Sequence, residues 1–293
     1  GSPHHPRHGV ALTRAAAPAP TGAEPRDGTG VACYAGRMFG QTRDLLAGIR
    51  TVRNPTSAGP CELPIVYRDG SAIGLMYLVE PALVAACLPA VAARVFEPQL
   101  VLGRAVVQFA LLEYRDTSIG RYNEVALAAQ VKRKGTAPSL VRTVLDLRGV
   151  EAQGNCFLNL PVTTEAACAA GRELWGFPKY VVDIETSFAP ERVRVVQRGE
   201  FELVVGRPGP LVTPGIPFVL LSAHGERVLR TIVETEHRTR WGGARTVELR
   251  LLGHGPTSDN LERLGLAVKK PFAVWRTDAL RSVLPAGKDL GAA

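Results

Sequence analysis

The 293-residue sequence has no apolar run that approaches the roughly 20 residues of a membrane-spanning helix. Its opening stretch, residues 1–10, lacks the apolar core of a secretory signal. Its five cysteines are scattered and never spaced as CxxC, which argues against a disulfide framework and against a zinc site. These absences predict a cytoplasmic protein with no membrane association and no metal ion.

Clustered positive charge is also absent, although the formal net charge is +8. Most of the basic residues are arginines distributed along the whole chain. The one local basic run, VKRKG at 131–135, is typical of the solvated end of a β-hairpin. A surface that follows nucleic-acid phosphates needs a basic cluster, so the sequence predicts no nucleic-acid partner.

Lysine is scarce, since only six of the 35 basic residues are lysines. One of them, Lys179, lies between Phe177 and Tyr180 in the apolar stretch GRELWGFPKYVVDIE at 171–185. In one interpretation its stem follows apolar surface and its amine reaches water. In the other, the amine is desolvated and neutral, which leaves a lone pair that can attack a ketone.

The chain is divided by composition into a tail and a single domain. Alanine, proline, glycine and threonine dominate residues 1–30, which predicts a disordered tail. Residues 31–293 are predicted to form one domain, because a hydrophobic content of 46% is ample for a buried core. A weak helical pattern covers 36–52, and 139–153 fits either a helix or a strand.

Most of the domain has the pattern of β-strands, with short helices predicted at 81–88, 163–175 and 258–264. The predicted strands are 62–68, 72–79, 100–115, 122–132, 155–162, 180–188, 192–198, 201–206, 228–234, 246–252 and 268–276. Closure into a barrel removes exposed strand edges. The sequence therefore predicts a mainly β (α+β) fold built on an antiparallel, closed or nearly closed barrel.

Local signals place Lys179 at a junction between a helix and a strand. The helix that ends near Trp175 is followed by Gly176, a natural C-terminal cap, and by Pro178, which cannot continue a helix. In an extended segment, Lys179 and Tyr180 face opposite ways. Functional groups are often placed at such rigidly framed ends.

Two stretches resemble signatures of the acetoacetate decarboxylase superfamily. NLPVTTEAACAAGRELWGFPK at 159–179 resembles the family motif in which Gly-Arg-Glu, an aromatic residue and Pro-Lys introduce a Schiff-base lysine, here Lys179. DTSIGRYNE at 116–124 resembles the segment whose glutamate, here Glu124, reaches into the active site. With weaker similarity, including ACLP at 86–89, the resemblance covers roughly residues 62–285.

The resemblance implies a cone-like antiparallel β-barrel with a few flanking helices. It further implies a homo-oligomeric enzyme that uses neither an organic cofactor nor a metal. In this reading Lys179 is the nucleophile that forms an imine with a keto acid, and Glu124 is a proton shuttle or an orienting group. The iminium then accepts the electrons released when CO2 or a proton leaves.

Two departures from the family pattern concern charge near the lysine. Tyr180 stands where the decarboxylase has a second lysine, so activation of Lys179 must come mainly from desolvation. Ala110 stands where the family has another active-site glutamate, which leaves Gln108 as the nearest polar side chain on the same strand face.

A third departure concerns the binding of a substrate carboxylate. Gly70 stands where the family has a substrate-binding arginine, with Arg68 or Arg121 as candidate substitutes. The loss of a carboxylate and of an arginine argues against strict acetoacetate decarboxylation and favours a larger, less charged substrate.

The predicted function is that of a Schiff-base lyase acting on a 2-oxo or 3-oxo acid in specialised metabolism, by decarboxylation or by aldol, dehydratase or cyclase chemistry. The alternative is a non-covalent binding protein or cyclase that keeps the barrel without using the lysine. Tyrosines 114, 122 and 180 are candidate proton donors, and the three histidines 224, 237 and 254 are expected at the surface. Candidate substrate contacts are Gln108, Arg121, Tyr180, Tyr122, Trp175, Phe177 and Arg68.

Overall fold

The computed structural model describes Gly1 and residues 44–137, 153–243 and 246–292. The described part of the chain contains four helices: α1 (Pro81–Cys87), α2 (Ala90–Val95), α3 (Glu165–Trp175) and α4 (Pro256–Arg263). Its strands are β1 (Val52–Asn54), β2 (Cys61–Leu63), β3 (Ile65–Val79), β4 (Phe96–Pro98), β5 (Leu100–Val101), β6 (Arg104–Thr117), β7 (Tyr122–Arg133), β8 (Gln153–Val162), β9 (Lys179–Val181), β10 (Ile184–Ala189), β11 (Arg192–Gln197), β12 (Phe201–Gly206), β13 (Leu211–Pro214), β14 (Phe218–His224), β15 (Arg227–Glu236), β16 (Arg238–Gly242), β17 (Val247–Leu251), β18 (Ala273–Thr277), β19 (Arg281–Leu284) and β20 (Lys288–Ala292).

Seven strands close a β-barrel in the order β3-β19-β15-β14-β8-β7-β6, and β6 pairs again with β3. The prediction of a mainly β barrel with a few helices is confirmed. Neighbouring strands of the barrel are antiparallel except β8 and β14, which pair in parallel at Asn155 and Leu220. The long strand β3 also pairs with β18 through Ala72–Met76, which extends the sheet beyond the barrel to β16 and β13.

Alternation along β6 and β7 decides which side chains enter the barrel. Successive strand residues point to opposite faces. On β6, Ala110 and Leu112 belong to the interior cluster, while Phe109 and Leu111 belong to a second cluster outside the barrel. Phe109 there packs edge-on against Phe201 of β12, with ring centroids 5.3 Å apart. A four-stranded sheet, β10-β11-β12-β17, therefore covers the outer face of the barrel wall.

The predicted helices at 81–88, 163–175 and 258–264 are confirmed to within two residues at each end, and the short α2 was missed. The helix predicted at 36–52 is wrong where it can be described, because residues 44–52 form a turn and the start of β1. Seven strands, β1, β4, β13, β14, β16, β19 and β20, were also missed. The predicted tail at 1–30, apart from Gly1, and the ambiguous segment up to 152 lie outside the described residues.

The described residues from Asp44 onward form one compact unit, while the single-domain prediction for 31–293 stays a prediction. In these ranges no helix is long and apolar enough to span a membrane. Four cysteines, Cys61, Cys87, Cys156 and Cys168, are buried as free thiols. Among the residues that the structure describes, no three His, Cys, Asp or Glu side chains converge as ligands for a metal ion.

Candidate active site

The backbone around Lys179 is fixed by the end of helix α3. Gly176 ends the helix with a φ of 69°, a left-handed conformation that favours glycine. The next amide, of Phe177, donates to the carbonyl of Gly171 at 3.0 Å. Lys179 then opens β9, which pairs in parallel with β8 so that Lys179 lies opposite Leu160. The junction predicted from the sequence is present.

The amine of Lys179 is buried against the carboxylate of Glu124. The two side chains are 8% and 9% exposed, and Nζ donates to Oε2 at 2.6 Å. The interpretation in which the amine reaches water is therefore wrong. A carboxylate at this distance compensates an ammonium and is also positioned to accept its proton.

Both members of the pair line a cavity of about 110 Å³ inside the barrel. Lys179 and Glu124 are the only Lys, Arg, Asp or Glu residues among its described lining, so an uncharged wall surrounds one acid and one amine. The polar groups of that wall are phenols, amides and one hydroxyl. They come from Tyr67, Tyr114, Gln108, Asn155 and Ser282.

Three tyrosines pack together beside the pair. The hydroxyls of Tyr67 and Tyr122 are 3.0 Å apart, and the Tyr114 ring lies 4.5 Å from the Tyr67 ring and 4.7 Å from the Tyr122 ring. Lys179 Nζ lies 5.6 Å from the Tyr122 ring centroid, within cation–π range. Burial, followed by the charge of Glu124, raises the pKa of Tyr67 and of Tyr114. These phenols therefore stay protonated and act as hydrogen-bond donors at neutral pH.

Gly171 in helix α3 leaves the space through which the Lys179 side chain passes. A Cβ atom at position 171 would lie 2.6 Å from Lys179 Cε, closer than real Cβ contacts. Glycine normally weakens a helix interior by about 0.5–1 kcal/mol relative to alanine, so helix propensity alone would disfavour it here. The approach of the lysine stem gives a physical reason for Gly171.

We expect Gly171→Ala to displace the amine from Glu124 while the fold persists. A misplacement of about 1 Å can lower a rate by roughly 100-fold. The measurement is the rate at which sodium borohydride traps pyruvate on Lys179, with thermal unfolding recorded in parallel. Arg172→Ala, on the exposed side of the same helix, is the matched control. Equal trapping rates for the two variants would contradict the positioning role of Gly171.

The structure brings some of the other predicted residues to this site. Gln108 and Phe177 line the cavity, and Tyr122 contacts Lys179 through its ring face. Trp175 does not line the cavity; it is fully buried and stacks on Phe177 with centroids 5.8 Å apart. Its indole N–H donates to the carbonyl of Pro285 at 3.2 Å. The prediction of a substrate contact is therefore wrong for Trp175, which packs in the core.

Tyr180 does not contact the cavity, so the prediction of a substrate contact is wrong for this residue. Its side chain lies on the face of β9 opposite to Lys179, as strand alternation requires. There its hydroxyl lies 2.8 Å from Thr257 Oγ1 and accepts a bond from Gln197 at 3.3 Å. The same polar network includes Glu200, whose Oε2 accepts the Thr257 amide at 2.7 Å in the first turn of α4. Tyr180 thus links β9 to helix α4 through Thr257.

Arg68 and Arg121 are likewise not part of the cavity. Arg68 is exposed and pairs with Asp116 at 3.2 Å. Arg121 is exposed in the turn that precedes β7. The two candidates for replacing the family arginine are therefore wrong, because both side chains lie on the outer surface. Gly70, where that arginine would stand, pairs with Tyr114 across β3 and β6.

Several lining residues were not predicted from the sequence. They come from strands far apart in the chain, and they are Tyr67, Asn155, Phe218, Trp275 and Ser282. His237 was expected at the surface with His224 and His254, but its Nδ1 is buried and the residue lines a second cavity. Only strand pairing brings these side chains together, and the strands β14 and β19 among them were missed.

Comparisons with known proteins agree with this architecture. The acetoacetate decarboxylase family model matches residues 51–207, a range that includes both Glu124 and Lys179. No curated protein sequence matches the chain. An acetoacetate decarboxylase from Legionella pneumophila subsp. pneumophila str. Philadelphia 1 is 18% identical, with a TM-score of 0.57, over 85% of this chain and 94% of that chain.

Two further solved structures have the same fold. Another acetoacetate decarboxylase is 14% identical, with a TM-score of 0.54, over 86% of this chain and 96% of that chain. The enduracididine biosynthesis enzyme MppR, with HEPES buffer bound, is 16% identical, with a TM-score of 0.51, over 78% of this chain and 88% of that chain. Identities this low establish the fold alone. Because the family model matches more than half of the chain, this protein belongs to the acetoacetate decarboxylase family.

Proposed function

We propose that the protein is a Schiff-base-forming lyase in which Lys179 condenses with the carbonyl group of a 2-oxo or 3-oxo acid. The observation that carries this proposal is the burial of Lys179 Nζ, 2.6 Å from Glu124, at the wall of a cavity whose described lining is otherwise uncharged. An isolated buried ammonium is costly, and a partner that can take its proton converts it into a nucleophile.

The proposed reaction starts with transfer of a proton from Lys179 to Glu124. The neutral amine attacks the substrate carbonyl carbon, and loss of water gives a protonated imine. Electrons released by departure of CO2 from a 3-oxo acid, or by loss of a proton from the carbon next to the imine carbon of either acid, flow into this iminium and give an enamine. Protonation of the enamine, or its attack on a second carbonyl carbon, is followed by hydrolysis that restores Lys179. The iminium formed on Lys179 is the electron sink.

The cavity wall favours substrates that carry little charge. Its described lining contains no arginine to hold a carboxylate. The donors there are neutral: the phenols of Tyr67 and Tyr114, the amides of Gln108 and Asn155 and the hydroxyl of Ser282. A carboxylate held by neutral donors is less strongly stabilised than one held by a guanidinium. The wall therefore favours reactions in which the carboxylate leaves or belongs to a larger, mostly apolar molecule.

The substrate class is supported by analogy. The family relative MppR has been solved as a complex with pyruvate, at 16% identity and a TM-score of 0.51. A shared fold does not fix a reaction, so the fate of the enamine in this protein is to be measured rather than transferred.

We expect sodium borohydride to trap a 2-oxo or 3-oxo acid covalently on Lys179. The protein is incubated with pyruvate, 2-oxobutanoate or acetoacetate, reduced, and analysed by intact-mass and peptide mass spectrometry. The adduct should lie in the peptide that contains Lys179, and the exposed Lys269 and Lys270 should stay unmodified as internal controls. Turnover of a keto acid without modification of Lys179 would reject the covalent mechanism in favour of non-covalent binding.

A further inference from the structure

A second cavity of about 130 Å³ adjoins the lysine cavity. The two cavities share four lining residues: Gln108, Asn155, Phe218 and Trp275. We call the second one the amide cavity, because the side-chain amides of Gln99, Gln108, Gln130, Gln153 and Asn155 contribute to its wall. The two cavities therefore border each other at these four side chains.

The amide cavity contains polar groups without a partner among the described residues. Gln99 is 3% exposed, and its Nε2 has no hydrogen-bond partner there. The buried Nδ1 of His237 is likewise unpaired. Buried donors are nearly always satisfied, and leaving one unpaired is costly, so the unpaired Gln99 Nε2 points to a ligand that offers an acceptor.

The described lining of the amide cavity is also uncharged. No Lys, Arg, Asp or Glu belongs to its described lining. Burial lowers the pKa of His237 to about 4, so this imidazole is neutral at physiological pH. A charged group would find no opposite charge there, whereas a carbonyl, ester or amide oxygen would find donors.

We infer that the two cavities form one bipartite site, in which the lysine cavity holds the reacting carbonyl group and the amide cavity holds an uncharged, oxygen-bearing tail of the same molecule. This inference deepens the proposed function and rests on it for the role of the reacting group. The substrate is then an elongated oxo acid whose chain carries a neutral acceptor such as an amide or ester carbonyl, and Gln99 determines specificity without taking part in the chemistry.

The test compares two elongated 2-oxo acids of equal length, one ending in an N-methylamide and the other in the isosteric alkyl group, with pyruvate as a short reference. In the wild type, half-maximal borohydride trapping at Lys179 should occur at an about 10-fold lower concentration for the amide-tailed compound, as expected for one buried hydrogen bond. In Gln99→Met, which keeps the length of the side chain, this preference should disappear and the trapping of pyruvate should stay unchanged.

Failure of the inference and failure of the proposed function give different results. Equal trapping of the amide-tailed and alkyl-tailed acids by the wild type overturns the bipartite site and leaves the Schiff-base proposal intact. The corresponding 2-hydroxy acids cannot form an imine. Calorimetry with them therefore measures the preference for the amide tail without any reaction at Lys179. A preference there without any trapping supports the amide cavity and rejects the lyase. Equal binding of the two 2-hydroxy acids rejects the amide cavity even if Gln99→Met does not fold.

Discussion

Lys179→Arg should abolish the exchange of the methyl protons of pyruvate with solvent deuterium. Arginine keeps the positive charge beside Glu124, but it neither loses its proton nor forms an imine. Exchange through an enamine therefore ends, and the rate should fall by roughly 10,000-fold or more, in line with removal of a covalent nucleophile. Proton NMR in deuterium oxide measures the exchange directly and does not require knowledge of the natural substrate.

The control for this variant is Lys269→Arg, which makes the same chemical change at an exposed lysine and should leave the exchange rate unaltered. Circular dichroism of Lys179→Arg establishes that the barrel still folds. Because the guanidinium is larger than the ammonium, Lys179→Met serves as a second variant with a side chain of similar length. Exchange that persists in a folded Lys179 variant would contradict the imine mechanism.

The second large effect is expected for Glu124→Gln, which should lower both the rate and the stability. Loss of a group that accepts and returns a proton typically lowers a rate by about 100- to 10,000-fold. Breaking a buried ion pair by removing one partner costs about 3–5 kcal/mol, because an uncompensated charge stays buried. Urea unfolding measures the free energy of unfolding, and the pyruvate exchange rate measures the chemistry.

A double variant separates the two roles of Glu124. Glu124→Gln combined with Lys179→Met removes both charges, and its free energy of unfolding should return toward the wild-type value while exchange stays absent. If Glu124 were only a counter-ion, Glu124→Gln would be less stable but would exchange pyruvate protons at the wild-type rate per folded molecule. That outcome would remove the proton-transfer role and leave the structural one.

The parts of the site that were predicted from the sequence are those coded by local patterns. Helix α3 is bounded by the cap residues Thr164 and Gly176 and by Pro178, which cannot continue a helix. The position of Lys179 directly after a helix could therefore be predicted. Strand alternation was also readable, and it placed Tyr180 on the face opposite to Lys179. The suggestion that Tyr180 contacts the substrate conflicted with this alternation, and the structure resolves the conflict in favour of alternation.

The other lining residues depend on pairings between distant segments. Glu124 was identified by family resemblance, and its proximity to Lys179 depends on strand β8, which pairs with β7 on one side and with β9 on the other. Tyr67 and Ser282 face each other only because β3 pairs with β19, a strand too short to give a clear pattern. Arg68 and Arg121 were proposed as substitutes for the family arginine, but the sequence alone does not specify the face of a strand or the exposure of a turn.

The separation of the two reacting groups along the chain has a consequence for biosynthesis of the protein. Lys179 and Glu124 are 55 residues apart, and their side chains meet only when β8 has taken its place between β7 and β9. Before that pairing the lysine is an ordinary hydrated ammonium. The proposed reactivity toward carbonyl compounds therefore appears only on completion of this part of the barrel, so nascent or partly folded chains are spared premature adducts with metabolites.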